Sequence, residues 1–130
     1  MYVLDTNSVS YFLKGTGRVG ERLLAEPPSN VALPSVVVYE LAYGAGRPQA
    51  PAGVERAVDG LVETLPVLPF GEAEARTAAR IRIALERSGR PIGPLDLLIA
   101  ATAVEHGGIL VTRNKREFGR IKGLRTEDWY

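Results

Sequence analysis

Gly89–Phe118, GRPIGPLDLLIAATAVEHGGILVTRNKREF, sets a constrained loop, a helix, a strand and two acids in one run. Pro91 and Pro94 cannot propagate a helix, but Pro94 suits a first helical position, where its fixed φ is already right and no N–H is needed. From Asp96 the segment DLLIAATAVEH is apolar almost all round, which predicts a buried helix rather than a surface one, stopped by Gly107 and Gly108 after His106. Ile109, Leu110 and Val111 then predict a short buried strand that runs out into Thr112, Arg113 and Asn114, with Glu117 in the loop beyond. An acid thus stands at each end of an apolar helix–strand unit.

The same grammar recurs upstream. Tyr2, Val3 and Leu4 predict a strand ending at Asp5, and Thr6, Asn7 and Ser8 are all residues that cap helices, so a helix is expected through Val9 and Leu13 to Gly15. A second helical segment, Val19 to Ala25, precedes Pro27 and Pro28, and Val31, Ala32 and Leu33 predict the next strand. SVVVYELAYGAG is read as a helix despite its valines, because Val37, Glu40, Leu41 and Gly44 keep helical spacing; Ser35 is the expected N-cap. Val58, Leu61, Val62 and Leu65 mark an amphipathic helix, Val67–Phe70 a third strand, and Glu72–Ser88 a charged helix with Ala75, Ala78, Ile81 and Leu85 inward. Leu124–Trp129 reads as a last edge strand. Short strands alternating with helices imply an α/β fold: a short parallel sheet flanked by helices on both faces, with ligands gathering beyond the carboxyl ends of the strands.

Composition narrows the chemistry. The 130 residues are expected to form a single domain, residues 1–130, with a core of its own. With no cysteine, thiolate metal sites, disulfides and cysteine nucleophiles are excluded, and a reducing, cytoplasmic setting is expected. No apolar run approaches a membrane span, so no membrane partner is expected. The net charge of +1 hides a local cluster: Arg113, Lys115, Arg116, Arg120, Lys122 and Arg125 crowd the last loop and strand. Beside an anionic-substrate site such a cluster reads as a phosphate track, with Arg82 and Arg47 as further candidates.

Each acid also has an ordinary reading. Asp5 would serve as a turn residue. Asp96, in a first helical turn, would gain about 0.3–1 kcal/mol from the macrodipole. Glu40 would be a solvated helix residue, and Glu117 an ion-pair partner in a basic loop. None of these readings explains why Asp5, Glu40, Asp96 and Glu117 should all head for one rim. Two carboxylates about 4 Å apart repel by roughly 4 kcal/mol at an effective dielectric near 20, so a group of them requires a cation. Oxygen donors alone select a hard divalent ion, Mg2+ or Mn2+, and such an ion open on one side supports phosphodiester hydrolysis.

LDTN at Leu4–Asn7, SVVVYELAYGA at Ser35–Ala45, RPIGPLDLLIAA at Arg90–Ala101, VTRNKREF at Val111–Phe118 and LRTEDW at Leu124–Trp129 together resemble PIN-domain ribonucleases of the VapC toxin type, from one end of the chain to the other. The resemblance implies that Asp5, Glu40 and Asp96 are catalytic metal ligands and that Glu117 stands where a fourth acid, usually aspartate, completes the set. It implies supporting polar roles for Thr6, Asn7, Thr112 and Asn114; beside such a site the local basic charge makes Arg113, Lys115, Arg116, Arg120 and Arg82 the expected RNA contacts. It further implies a 5′-phosphate product, a homodimer formed through early helices, and inhibition by a VapB-like antitoxin. Two other readings set against it are a non-catalytic metal-binding interaction module and an aspartyl-phosphate phosphatase. The latter wants a second acid two residues after Asp5, where this chain has Asn7.

Overall fold

The computed structural model describes residues 1–130. Five strands form one parallel sheet: β1 (Tyr2–Leu4), β2 (Val31–Pro34), β3 (Val67–Leu68), β4 (Ile109–Val111) and β5 (Arg125–Glu127). Seven α-helices connect them: α1 (Thr6–Lys14), α2 (Val19–Leu24), α3 (Ser35–Gly46), α4 (Val54–Thr64), α5 (Glu72–Arg87), α6 (Pro94–Glu105) and α7 (Lys115–Phe118). Successive residues on a strand point to opposite faces. Val3 and Leu4 are both buried, and so are Val31, Ala32 and Leu33, so both faces of the sheet are covered. The expected layered architecture is therefore the observed one.

The strand order is β3-β2-β1-β4-β5. The chain builds outward from β1 on one side, then returns to lay β4 against the other, with Val3 paired to Leu110 and Leu4 to Val111. Reversal of direction beside β1 opens a crevice at the carboxyl ends of β1 and β4, the position at which open α/β sheets bind ligands. Asp5 and Thr112 are the first residues past those two ends.

Several local expectations needed correction. Asp5, not one of the residues after it, caps α1: its Oδ1 accepts from the Ser8 amide at 2.8 Å. Pro34 precedes α3 and Ser35 is already helical without a side-chain cap, because Pro34 fixes the turn from the strand directly into the helix. α3 runs through Gly44 and ends at Gly46. On α5 Ala75 faces out, and the inward stripe is Glu74, Thr77, Ala78, Ile81 and Leu85. Polar Glu74 and Thr77 are buried there because partners on and beyond α6 satisfy them: Thr77 donates to Glu105 at 2.6 Å and Glu74 lies 3.4 Å from His106. The segment after β4 is not simply a loop, since Asn114 accepts from the Glu117 amide and starts α7.

The turn from α6 into β4 is unusually close to β1. A Cβ on Gly108 would lie 2.6 Å from Val3 Cγ2 and 3.3 Å from the Met1 carbonyl. Val3 is fully buried in the central strand and has nowhere to go. Gly108→Ala is therefore expected to cost about 1–3 kcal/mol by overpacking, measured as a lowered midpoint in urea with an unchanged slope.

Candidate active site

Asp5 sits 5% exposed at the end of β1. Its backbone amide donates to the Val111 carbonyl at 3.1 Å, and the Ser8 hydroxyl donates to the same carbonyl, also at 3.1 Å. Buried Ser8 thus ties α1 to the end of β4, a role that only a pairing of distant strands reveals. Burial raises the Asp5 carboxyl above its ordinary value, against hydrogen bonds from Thr112 and Ser8 that lower it; Asp128 adds a smaller upward push. Asp5 lines an open polar pocket with Asn7, Tyr11, Arg113 and Asn114.

The other acids arrive on separate elements. Glu40, halfway along α3, accepts the Thr6 hydroxyl at 2.6 Å, so the first residue of α1 fixes an acid 34 positions away in sequence. Asp96 lies in the first turn of α6, after Gly93 and Pro94, as the loop chemistry predicts. Glu117 on α7 accepts from the Asn114 side-chain amide at 2.8 Å, while Asn114 is oriented by its own amide donating to Thr112 Oγ1 at 3.0 Å. Asp96 is half-buried, and its carboxyl is raised first by desolvation and then by the negative charges of Glu40, Asp5 and Glu117. Electrostatically, the four acids share one locality.

They are not drawn into a closed cage: no three of the acidic or histidine side chains stand close enough to hold an ion between them. Thr6 and Asn114 hold Glu40 and Glu117 by hydrogen bonds. The donors are all oxygen and the charges acting on Asp96 are negative, a chemistry that suits a hard divalent cation.

The basic candidates divide. Lys115 and Arg116 are exposed on α7. Arg113 lines the Asp5 pocket. Arg82 instead pairs with Glu86 at 3.0 Å beside Pro91, Ile92 and Pro94. Arg120 Nη1 donates to the Pro91 carbonyl at 3.1 Å, tying the chain after α7 to the loop that leads into Asp96. Sequence spacing gave no sign of that tie. His106 lies at the other end of α6, about 15 Å from Asp96 at 1.5 Å per residue, and is engaged with Glu74.

Two substitutions separate the structural duty of Asp5 from its charge. Asp5→Asn keeps an oxygen for the Ser8 amide and removes an ionised group from a buried place. Asp5→Ala loses the cap, about 1 kcal/mol. Thermal melts of the metal-free proteins near neutral pH are expected to rank Asn above Ala, with both folded.

The sequence matches the PIN domain family over residues 2–124. It is 40% identical over 129 residues to the tRNA(fMet)-specific endonuclease VapC of Shigella flexneri, covering 98% of this chain and 97% of that one. The protein of the same description from Salmonella typhimurium is 36% identical over 128 residues, again with 98% and 97% covered. Among solved structures, DNA-bound VapBC from Salmonella typhimurium superposes with a TM-score of 0.91 at 36% identity, covering 99% of this chain and 98% of that one. VapBC2 from Rickettsia felis, bound to a DNA fragment from its promoter, gives a TM-score of 0.90 at 30% identity, with the same coverage. Agreement of sequence and fold from one end to the other establishes that the chain belongs to the PIN-domain family, in its VapC branch.

Proposed function

We propose that the chain is a divalent-metal-dependent endoribonuclease, the toxin of a VapBC-type toxin–antitoxin pair, working as one domain over residues 1–130. The observation that carries this reading is the convergence on Asp96 of the charges of Glu40, Asp5 and Glu117 from three other elements. In the proposed site Asp5, Glu40 and Asp96 hold Mg2+ or Mn2+ and Glu117 supplies the fourth carboxylate. The ion, when bound, supplies Lewis acidity toward a phosphodiester and makes water nucleophilic at neutral pH. The chain's own contribution is to hold the acids in place against their repulsion. Thr6 orients Glu40, and Asn114 orients Glu117. Thr112 hydrogen-bonds Asp5 and, through the Asn114 amide, orients Asn114.

The relatives named as VapC endonucleases and the neighbours solved as VapBC complexes support an RNA substrate and a VapB-like antitoxin as partners. A homodimer acting in the cytoplasm completes the proposal; no helix is long and apolar enough to cross a membrane. The test is expression with and without the small gene adjoining this one, with RNA 5′ ends mapped genome-wide and initiator tRNA included as a purified substrate. Growth arrest and one dominant cut, both relieved by the neighbouring gene and absent from the Asp96→Asn protein, are expected. Metal-dependent stabilisation without any cleavage across the RNA panel would instead favour a non-catalytic binding module.

A further inference from the structure

Arg113 is the arginine at the Asp5 pocket that rests on aromatic rings. Arg22 and Arg82 each have a carboxylate partner, at 2.6 Å and 3.0 Å, and Arg120 has a carbonyl. Arg113 has no carboxylate within ion-pair reach and no hydrogen-bond acceptor, although it lines the pocket that contains Asp5. What holds it is aromatic: its Cζ lies 3.6 Å from the centroid of the Tyr130 ring and 5.8 Å from that of Tyr11.

A 3.6 Å separation fixes the orientation. Edge-on approach would drive a nitrogen, one C–N bond of about 1.33 Å further in, to roughly 2.3 Å from the ring, which is sterically impossible. The guanidinium therefore meets Tyr130 with its face. All five of its N–H donors lie in its own plane, so contact through the face leaves the hydrogen-bonding edge available.

Tyr130 is itself held. Its ring meets Tyr11 edge-to-face at 4.9 Å, and its carbonyl accepts from the Arg18 amide at 2.7 Å. Gly17, in the left-handed region at φ 65°, packs so closely that a Cβ there would lie 2.6 Å from Tyr130 Cδ2 and 2.7 Å from Cγ. Tyr130 keeps 39% of its surface exposed, but Gly17, Tyr11 and Arg113 fix where its ring stands.

We propose that Tyr130 is a positioning residue that presents the Arg113 guanidinium edge to a phosphate of the RNA adjoining the one that is cut. The proposal rests on the ribonuclease reading of the Asp5 pocket. A charge that is already oriented loses less side-chain entropy on binding, and a guanidinium fork suits phosphate oxygens.

The test is steady-state cleavage by the native chain and by Arg113→Ala, Tyr130→Leu, Tyr130→Phe and the Arg113→Ala/Tyr130→Leu double variant. Arg113→Ala and Tyr130→Leu are each expected to raise KM about tenfold, the effect of roughly 1.4 kcal/mol, with kcat within about twofold. Tyr130→Phe should behave as native, and the double variant should be no worse than Arg113→Ala alone. A Tyr130→Leu protein with native KM, or losses that multiply in the double variant, would overturn the positioning role while native cleavage leaves the ribonuclease reading standing. If the native chain neither cuts nor binds RNA, both fall together.

Discussion

Asp96→Asn is expected to lose metal-dependent RNA cleavage by about a thousandfold or more and yet to melt at a higher temperature than the native chain, at neutral pH without added metal. The first effect follows if Asp96 holds the ion, since loss of several kcal/mol of transition-state stabilisation corresponds to a tenfold loss per 1.4 kcal/mol. The second follows from the raised carboxyls of Asp96 and Asp5. A carboxyl whose pKa is higher in the folded state binds its proton more tightly there than in the unfolded chain. Its stabilising contribution is complete below the unfolded value near 3.8 and is lost as pH rises through the folded value. At neutral pH the metal-free native protein therefore carries ionised acids where burial and like charge oppose them. Asparagine removes one such charge without changing the shape of the side chain. Melting curves from pH 4 to 8 should show the native chain losing stability with rising pH more steeply than the variant. Added Mn2+ should restore the native chain at the upper end of that range and leave Asp96→Asn nearly unmoved. A variant that melts lower than native across the range, or one that still cleaves, would contradict the electrostatic account of the site.

The second large effect is expected at Trp129. The indole is 2% exposed and lies 4.9 Å from the Tyr2 ring in an edge arrangement. Its Nε1 donates to Glu127 Oε1 at 3.0 Å, and Arg22 Nη2 reaches the same oxygen at 2.6 Å. Those bonds, the indole's first, hold the Glu127 carboxyl below its ordinary value. Truncating a buried tryptophan costs about 3–5 kcal/mol, or roughly 10–20 °C of melting temperature for a domain of this size. More than stability is at stake, because the Glu127 carbonyl accepts from the Thr112 amide at 2.9 Å. β5 therefore holds the start of the segment that presents Asn114 and Glu117. Trp129→Ala should lower the melting temperature by that amount, while Trp129→Phe, which keeps ring packing and loses the hydrogen bond, should fall between. A Trp129→Ala protein within a few degrees of native would show that the indole is dispensable to the core.

Much of this protein was legible in one dimension. Strand–acid–helix at Leu4–Thr6, the all-round apolar helix after Pro94, and the Gly107–Gly108 stop are each dictated by local chemistry: period, cap and backbone freedom. Nearest-neighbour physics sufficed for every strand and for six of the seven helices. α7 escaped because it is a single turn, Lys115–Phe118, with no period to read, started by an Asn114 cap inside a run of charge. Ala75 was misplaced because alanine tolerates either side of α5, and the inward stripe was set by partners for Glu74 and Thr77 on and beyond α6.

What the sequence by itself determined was an α/β chain with four candidate acids distributed over separate elements and a basic last loop. What only the tertiary structure decided was who meets whom. The order β3-β2-β1-β4-β5 sets Asp5 beside Thr112, Thr6 reaches Glu40 across 34 positions, and Tyr130 closes over Arg113. The physical reason is range: caps and periods act over a few residues, whereas repulsion among carboxylates and stacking on an aromatic ring depend on distance in space, which strand order alone fixes.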